Sequence, residues 1–101
     1  LYNLYSSTNS DGDWEEFIKI LSRDNRIGNS HMNVPGHDGR FGYGGSCLPK
    51  DSNAFLNYAT DLNIELNVLQ NAILTNNKIR GKYSEPTSRE IEQNINFNGE
   101  D

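Results

Sequence analysis

The sequence predicts an all-α chain with its helices arranged around a glycine-rich loop, on two observations. Apolar residues recur at helical spacing before residue 24 and again after residue 49. Between them, residues 24–49 show no periodicity and hold six of the nine glycines, two of the three prolines and both histidines. A stretch of that length without regular structure is usually a functional loop or a disordered one. Phe41, Tyr43 and Cys47 inside it favour the functional kind.

Taken in order, residues 1–8 read as the last turns of a helix with Leu1, Leu4 and Tyr5 on one face. Asn9-Ser10-Asp11-Gly12 breaks it, and Asp11 or Ser10 is expected to cap a second helix. That helix spans about 13–23, with Trp14, Phe17, Ile18 and Leu21 on one stripe and Asp13, Glu15 and Glu16 at its positive end. A third helix is expected to begin just after Pro49, near Lys50 to Ser52, burying Ala54, Phe55, Tyr58 and Ala59. Asp61-Leu62-Asn63 forms a turn. A fourth helix, about 65–80, carries Leu66, Leu69, Ile73 and Asn76-Asn77 on its inner side and stops at Gly81. The remainder, 81–101, is polar and is expected to be a disordered tail with at most one helical turn over 89–93. Residues 1–80 and 81–101 are thus expected to be distinct.

Composition narrows the function. Only 34% of the 101 residues are hydrophobic and mean hydropathy is −0.78. So polar a chain buries a small core, and packing against further chain or a partner subunit is expected. The net charge of −5 and the lack of a basic run argue against nucleic acid as a partner. No stretch approaches the roughly 18 apolar residues that would span a membrane. A single cysteine allows no internal disulfide and suits a reducing, cytoplasmic setting. The chain begins at Leu1 without Met, so its start is expected to lie inside a longer protein.

The strongest motif is Phe41-Gly42-Tyr43-Gly44-Gly45-Ser46-Cys47-Leu48-Pro49-Lys50-Asp51. The glycines bare the backbone before the cysteine, so a ligand can approach the main chain closely. Pro49 suits the first turn of a helix, which puts Cys47 at or near a helix N-terminus. Free amides and the helix dipole there favour negative charge on a thiol, and Lys50 adds a positive one. Asp51 opposes that charge but can orient or deprotonate a water. A sulfur nucleophile beside a carboxylate base suits covalent chemistry at a carbonyl. The plain alternative is a small buried hydrophobe, which is what a lone cysteine most often is. A phosphate cradle is a weaker reading, since the string lacks both the third glycine of the dinucleotide fingerprint and the GK[ST] of a P-loop. His31 and His37 have no ligand partners at metal spacing, so no metal site is expected. Arg40 reads as a solvated charge.

The string FGYGGSCLPKD resembles the catalytic-cysteine signature of the UDP-glucose/GDP-mannose dehydrogenase family. Asp24-Asn25-Arg26-Ile27-Gly28 is similar to that family's D-x-RIG element, and Val34-Pro35-Gly36 with Asp38-Gly39 to its VPGxDG link. The likeness covers about residues 1–80. It implies part of the central dimerisation domain of a larger α/β dehydrogenase. It further implies oxidation of a sugar C6 alcohol to a carboxylate with two NAD per turnover, through a cysteine thiohemiacetal and thioester. By position, Cys47 matches the family nucleophile and Asp51 the aspartate that assists water. Lys50 matches a cofactor contact. Phe41, Gly42, Tyr43 and Gly44 match the segment along the sugar nucleotide. Arg26 matches an arginine that reaches substrate across a homodimer interface, and a guanidinium suits a diphosphate.

Within the family the RIG and VPGHDG elements favour the UDP-glucose branch over GDP-mannose, and PKD after Cys47 disfavours the UDP-N-acetylmannosamine branch. The family's GxGxxG domain and its C-terminal domain have no counterpart here, so the chain alone is expected to be inactive. The rival of another class is a helical dimerisation remnant without catalysis.

Overall fold

A computed structural model describes residues 1–8 and 11–98. Five helices follow one another: α1 (Tyr2–Ser6), α2 (Trp14–Leu21), α3 (Cys47–Asp61), α4 (Asn67–Arg80) and α5 (Ser88–Glu92). Among the described residues there is no strand, so the chain is all-α. It divides into two compact units, the first Leu1–Gly39 and the second beginning at Arg40.

The first unit closes around aromatic rings. Tyr2 and Tyr5 of α1 meet Trp14 edge-on, with centroids 5.2 and 5.5 Å away, and Tyr5 also packs on Phe17 at 4.9 Å. The inner face of α1 is therefore Tyr2 and Tyr5, while Leu1 and Leu4 stay about 70% exposed. The expected stripe of α2 is present: Ile18 is buried and Trp14, Phe17 and Leu21 are half-buried. Its cap is Asp13, in extended conformation, whose carboxylate accepts from the Glu15 amide at 3.1 Å. Asp11 does not cap; Ser10, the other candidate, lies outside the described residues with Asn9. Asp13 wins because the apolar stripe starts at Trp14, so the extended residue just before it is the one placed to accept from the first turn. Trp14 Nε1 donates to the Met32 carbonyl at 2.8 Å and ties α2 to the following loop.

In the second unit α3 packs on α4. The turn between them is a Schellman motif. Asn63 takes the left-handed conformation (φ 59°), its amide reaches the Thr60 carbonyl at 2.9 Å, and the Ile64 amide reaches Ala59 at 2.9 Å. Two expectations for α3 are corrected. It starts at Cys47, so Pro49 occupies the third helical position; the first turn has no intrahelical use for that N–H either way. Of the expected inner face only Ala59 is buried; Phe55 and Tyr58 are 62% and 66% exposed, on a side of α3 that its packing on α4 leaves open. On α4, Ile73, Asn76 and Arg80 are buried in one row, extending the predicted stripe by a turn. Gly81 ends α4 in right-handed conformation (φ −66°) and not in the left-handed one that favours glycine. A side chain there would meet the Asn77 carbonyl and Asn98 Oδ1, each at 2.9 Å.

Residues 81–98 depart from the disordered tail expected over 81–101; residues 99–101 lie outside the described residues. Thr87 and Glu90 form a capping box that starts α5. Asn94 (φ 53°) ends it with a second Schellman motif, the Ile95 amide reaching the Glu90 carbonyl at 2.9 Å. The physical reason is Glu90, which is 1% exposed and ion-paired with Arg80 of α4.

Candidate active site

The loop that precedes α3 follows a winding path, with Gly42 and Gly45 at φ +76° and +77°. Its backbone is fastened by side chains from α4 and the segment after it. Asn76 accepts from the Tyr43 amide at 2.7 Å and donates to the Tyr43 carbonyl at 2.8 Å. Arg80 Nη1 donates to the Phe41 carbonyl at 3.4 Å. The Phe41 amide donates to the Tyr83 hydroxyl at 2.9 Å. Glu90 Oε2 accepts from the Gly45 amide at 3.0 Å and from Arg80 Nη2. Asn76, Arg80 and Glu90 are 3%, 3% and 1% exposed, so the loop rests on a polar core. Buried charges persist only where every donor and acceptor is matched. Here each is: no buried side-chain N or O among the described residues lacks a partner.

Gly44 lies against that pair. A Cβ there would overlap the Arg80 guanidinium and the Glu90 carboxylate, and one at Gly42 would come within 2.6 Å of Asn76 Oδ1. These glycines serve close approach between the loop and its own support. Burial pushes the Glu90 carboxyl up, but the Gly45 and Thr87 amides and then Arg80 outweigh it and hold it below its ordinary value.

Ser46 caps α3 without a side-chain bond, and Cys47 is the first helical residue. The thiol is free and exposed, 3.8 Å from the Ser46 hydroxyl. Asp51 follows four residues later, so the helix sets it on the same face as Cys47, with Cβ atoms roughly 5–6 Å apart. Lys50 and Asp51 are both exposed and pair at 3.5 Å. Phe41 is 44% exposed, whereas Tyr43 and Gly44 are half-buried. The second unit thus brings together Phe41, Gly42, Tyr43, Gly44, Cys47, Lys50 and Asp51. Arg26 belongs to the first unit. Its guanidinium grips Asp24 with both ends, at 3.0 and 2.7 Å, and that bond holds the Asp24 carboxyl below its ordinary range.

Arg40 is not a plain solvated charge: it donates to the Glu85 carbonyl at 2.5 Å and lies over the Tyr83 ring at 4.7 Å. The cleft of the first unit, about 510 Å³, is lined by Trp14, Ile18, Lys19, His37 and the Val34-Pro35-Gly36 element among others, and contains none of the residues assigned a role in catalysis or binding. The described residues include no cluster of three metal-ligating side chains.

An exposed thiol opening a helix, with a carboxylate one turn on and a bared loop before it, is the geometry of the motif that resembled a dehydrogenase family. The model of the UDP-glucose/GDP-mannose dehydrogenase family, central domain, matches residues 2–78. The chain belongs to the UDP-glucose/GDP-mannose dehydrogenase family. A UDP-glucose 6-dehydrogenase from Campylobacter jejuni is 41% identical over 80 residues, which are 79% of this chain and 18% of that protein. The chain therefore spans under a fifth of the length of that curated relative. No solved structure matches. Every residue carried over from the dehydrogenase motif lies inside the matched segment. Tyr83, Arg80 and Glu90 lie beyond it, and Asn76 within. The motif reading passed over these four as supports of the loop. The helical stripe placed Asn76 on the inner side of α4, and the Thr87-x-x-Glu90 spacing of a capping box marked Glu90; nothing in the sequence marked Arg80 or Tyr83.

Proposed function

We propose that the chain is the cysteine-bearing segment of an NAD-dependent UDP-glucose 6-dehydrogenase, acting in the cytoplasm to make UDP-glucuronate. The observation that carries this is the exposed Cys47 at the start of α3 with Asp51 one turn later, inside the segment shared with the family. An exposed lysine beside a bared loop is compatible with a dinucleotide's phosphates, so Lys50 is the residue assigned to hold NAD. Bound NAD supplies the hydride acceptor for both oxidations.

The residues of this chain do the rest. The loop from Phe41 to Gly44 is assigned to lie along the sugar nucleotide, its backbone held in one shape by Asn76, Arg80 and Tyr83. Once C6 is an aldehyde, Cys47 Sγ adds to the carbonyl carbon and the oxygen takes a proton, giving a thiohemiacetal. Its oxidation leaves a thioester on Cys47. Asp51 accepts a proton from water, the water oxygen attacks the thioester carbon, the C–S bond breaks and Cys47 leaves as thiolate. Arg26 is assigned to the substrate diphosphate of the second subunit in a homodimer. Exposed Leu1 and Leu4 on the first unit, and exposed Phe55, Tyr58 and Val68 on the second, are each consistent with contact to further chain or a partner.

The chain by itself is expected to produce no NADH from UDP-glucose. In the complete enzyme, Cys47→Ser is expected to stop the second oxidation, since a hydroxyl is the weaker nucleophile and the poorer leaving group. Asp51→Asn is expected to slow thioester hydrolysis more than its formation. Rapid-quench detection of a Cys47 adduct tests both, and full conversion to UDP-glucuronate by Cys47→Ser overturns the assignment.

A further inference from the structure

Arg80 and Glu90 lie past residue 78, where the match to the family ends, yet they hold the loop that carries its motif. We propose that Glu90 is a positioning residue for Cys47, fixing the entry to α3 through the Gly45 amide. The inference rests on the reading of Cys47 as the nucleophile.

Gly45 directly precedes the cap residue Ser46, and Cys47 follows as the first residue of the helix. At φ +77° Gly45 is the point where the chain turns into α3, so its direction sets where the thiol is presented. The other side-chain anchors of the loop, Tyr83 and Arg80 on Phe41 and Asn76 on Tyr43, act four to six residues before Cys47. Glu90 acts two residues before it. The chemistry is specific to a carboxylate. Oε2 faces the Gly45 amide and Arg80, Oε1 faces the Thr87 amide at 3.1 Å, and all three are donors. A glutamine would turn an NH₂ toward a donor whichever way its amide faced. With Glu90 1% exposed, water cannot relieve that clash.

The test compares the full chain with Glu90→Gln and Tyr83→Phe. Alkylation of Cys47 by iodoacetamide is timed, ¹H–¹⁵N spectra report the Gly45 amide, and circular dichroism reports helix content. In a folded Glu90→Gln chain the Gly45 resonance is expected to shift. Alkylation is expected to slow about two- to fivefold, as the thiol loses its fixed place at the helix end. Tyr83→Phe, which removes the more distant anchor, is expected to keep the native rate. A native rate in folded Glu90→Gln, or equal slowing in both variants, overturns the proposal. If Glu90→Gln does not fold, Glu90→Asp decides. Its carboxylate is also acceptor-only but one methylene shorter, so slower alkylation with a displaced Gly45 resonance supports the proposal, and a native rate with that resonance displaced overturns it. Alkylation needs neither sugar nucleotide nor NAD. Failure of the dehydrogenase reading would therefore show in turnover by Cys47→Ser and leave these rates unmoved.

Discussion

The first unit is closed by rings and the second by charges. Around Trp14 the contacts are aromatic edges and faces at 4.9 to 5.5 Å, joined by one indole hydrogen bond. Such contacts are weakly directional, and similar side chains can replace one another at modest cost. Around the cysteine loop the buried groups are Asn76, Arg80 and Glu90, each bonded to named backbone atoms. A polar core tolerates little substitution, because an unmatched buried donor or acceptor costs its full desolvation. The difference teaches that this chain spends its directional interactions where a loop must be held in one shape.

The hardest blow to that contrast should be Gly44→Ala. The new methyl must displace the Arg80–Glu90 pair, with an expected loss of about 3–5 kcal/mol. Gly28→Ala in the first unit meets nothing within 4 Å and should change stability by less than about 0.5 kcal/mol. Urea unfolding of the two variants checks the pair, and equal losses would erase the distinction.

Acid should act on the second unit in the same sense and reversibly. The folded Glu90 carboxyl lies below its ordinary 4.5, so the folded state binds fewer protons than the unfolded one there. Its stabilisation is complete above that value and is lost as pH falls below 4.5 and through the folded value. Asp24 in the first unit is shifted the same way by Arg26, but that pair is exposed. Added salt should weaken the Asp24 effect and leave the Glu90 effect nearly intact. Thermal melts from about pH 7 downward, at low and high salt, separate the two.

Next in size, Asn76→Ala removes both bonds to Tyr43 and should cost about 2–3 kcal/mol. Trp14→Phe keeps an aromatic ring but loses the bond to Met32 and part of the ring contacts, for about 1–2 kcal/mol. Melting temperatures rank them, and a larger loss for Trp14→Phe would reverse the comparison. Asp13→Ala, which removes the cap of α2, should be smallest at about 0.5–1 kcal/mol and leave the Gly45 resonance in place.

The same division explains what could be read in advance. Periodicity located α2 and α4 to within two residues, because burial along a helix repeats in sequence. The cysteine loop stood out as a motif; its glycines were read as room for a ligand, whereas Gly42 and Gly44 make room for Asn76, Arg80 and Glu90. The inner face of α3 was not legible, since Phe55 and Tyr58 fit a buried stripe in pattern but stay mostly exposed among the described residues. Nor was the support of the loop. Arg80 and Glu90 are ten residues apart and look like surface charges until the fold sets them under Gly44. Thr87-x-x-Glu90 announces a helix start, but no local pattern says that the same carboxylate also reaches Gly45.

Asn76 has one more consequence. Its carboxamide meets the N–H and the C=O of Tyr43 together, as a residue on an adjoining strand would. One side chain thereby supplies a rung of a ladder without a ladder, and Tyr43 gains strand-like fastening with both of its backbone groups already paired and closed to another chain. Aspartate would set a second acceptor against the Tyr43 carbonyl, and glutamine would overshoot by a methylene, so the position admits one side chain chemistry at one length.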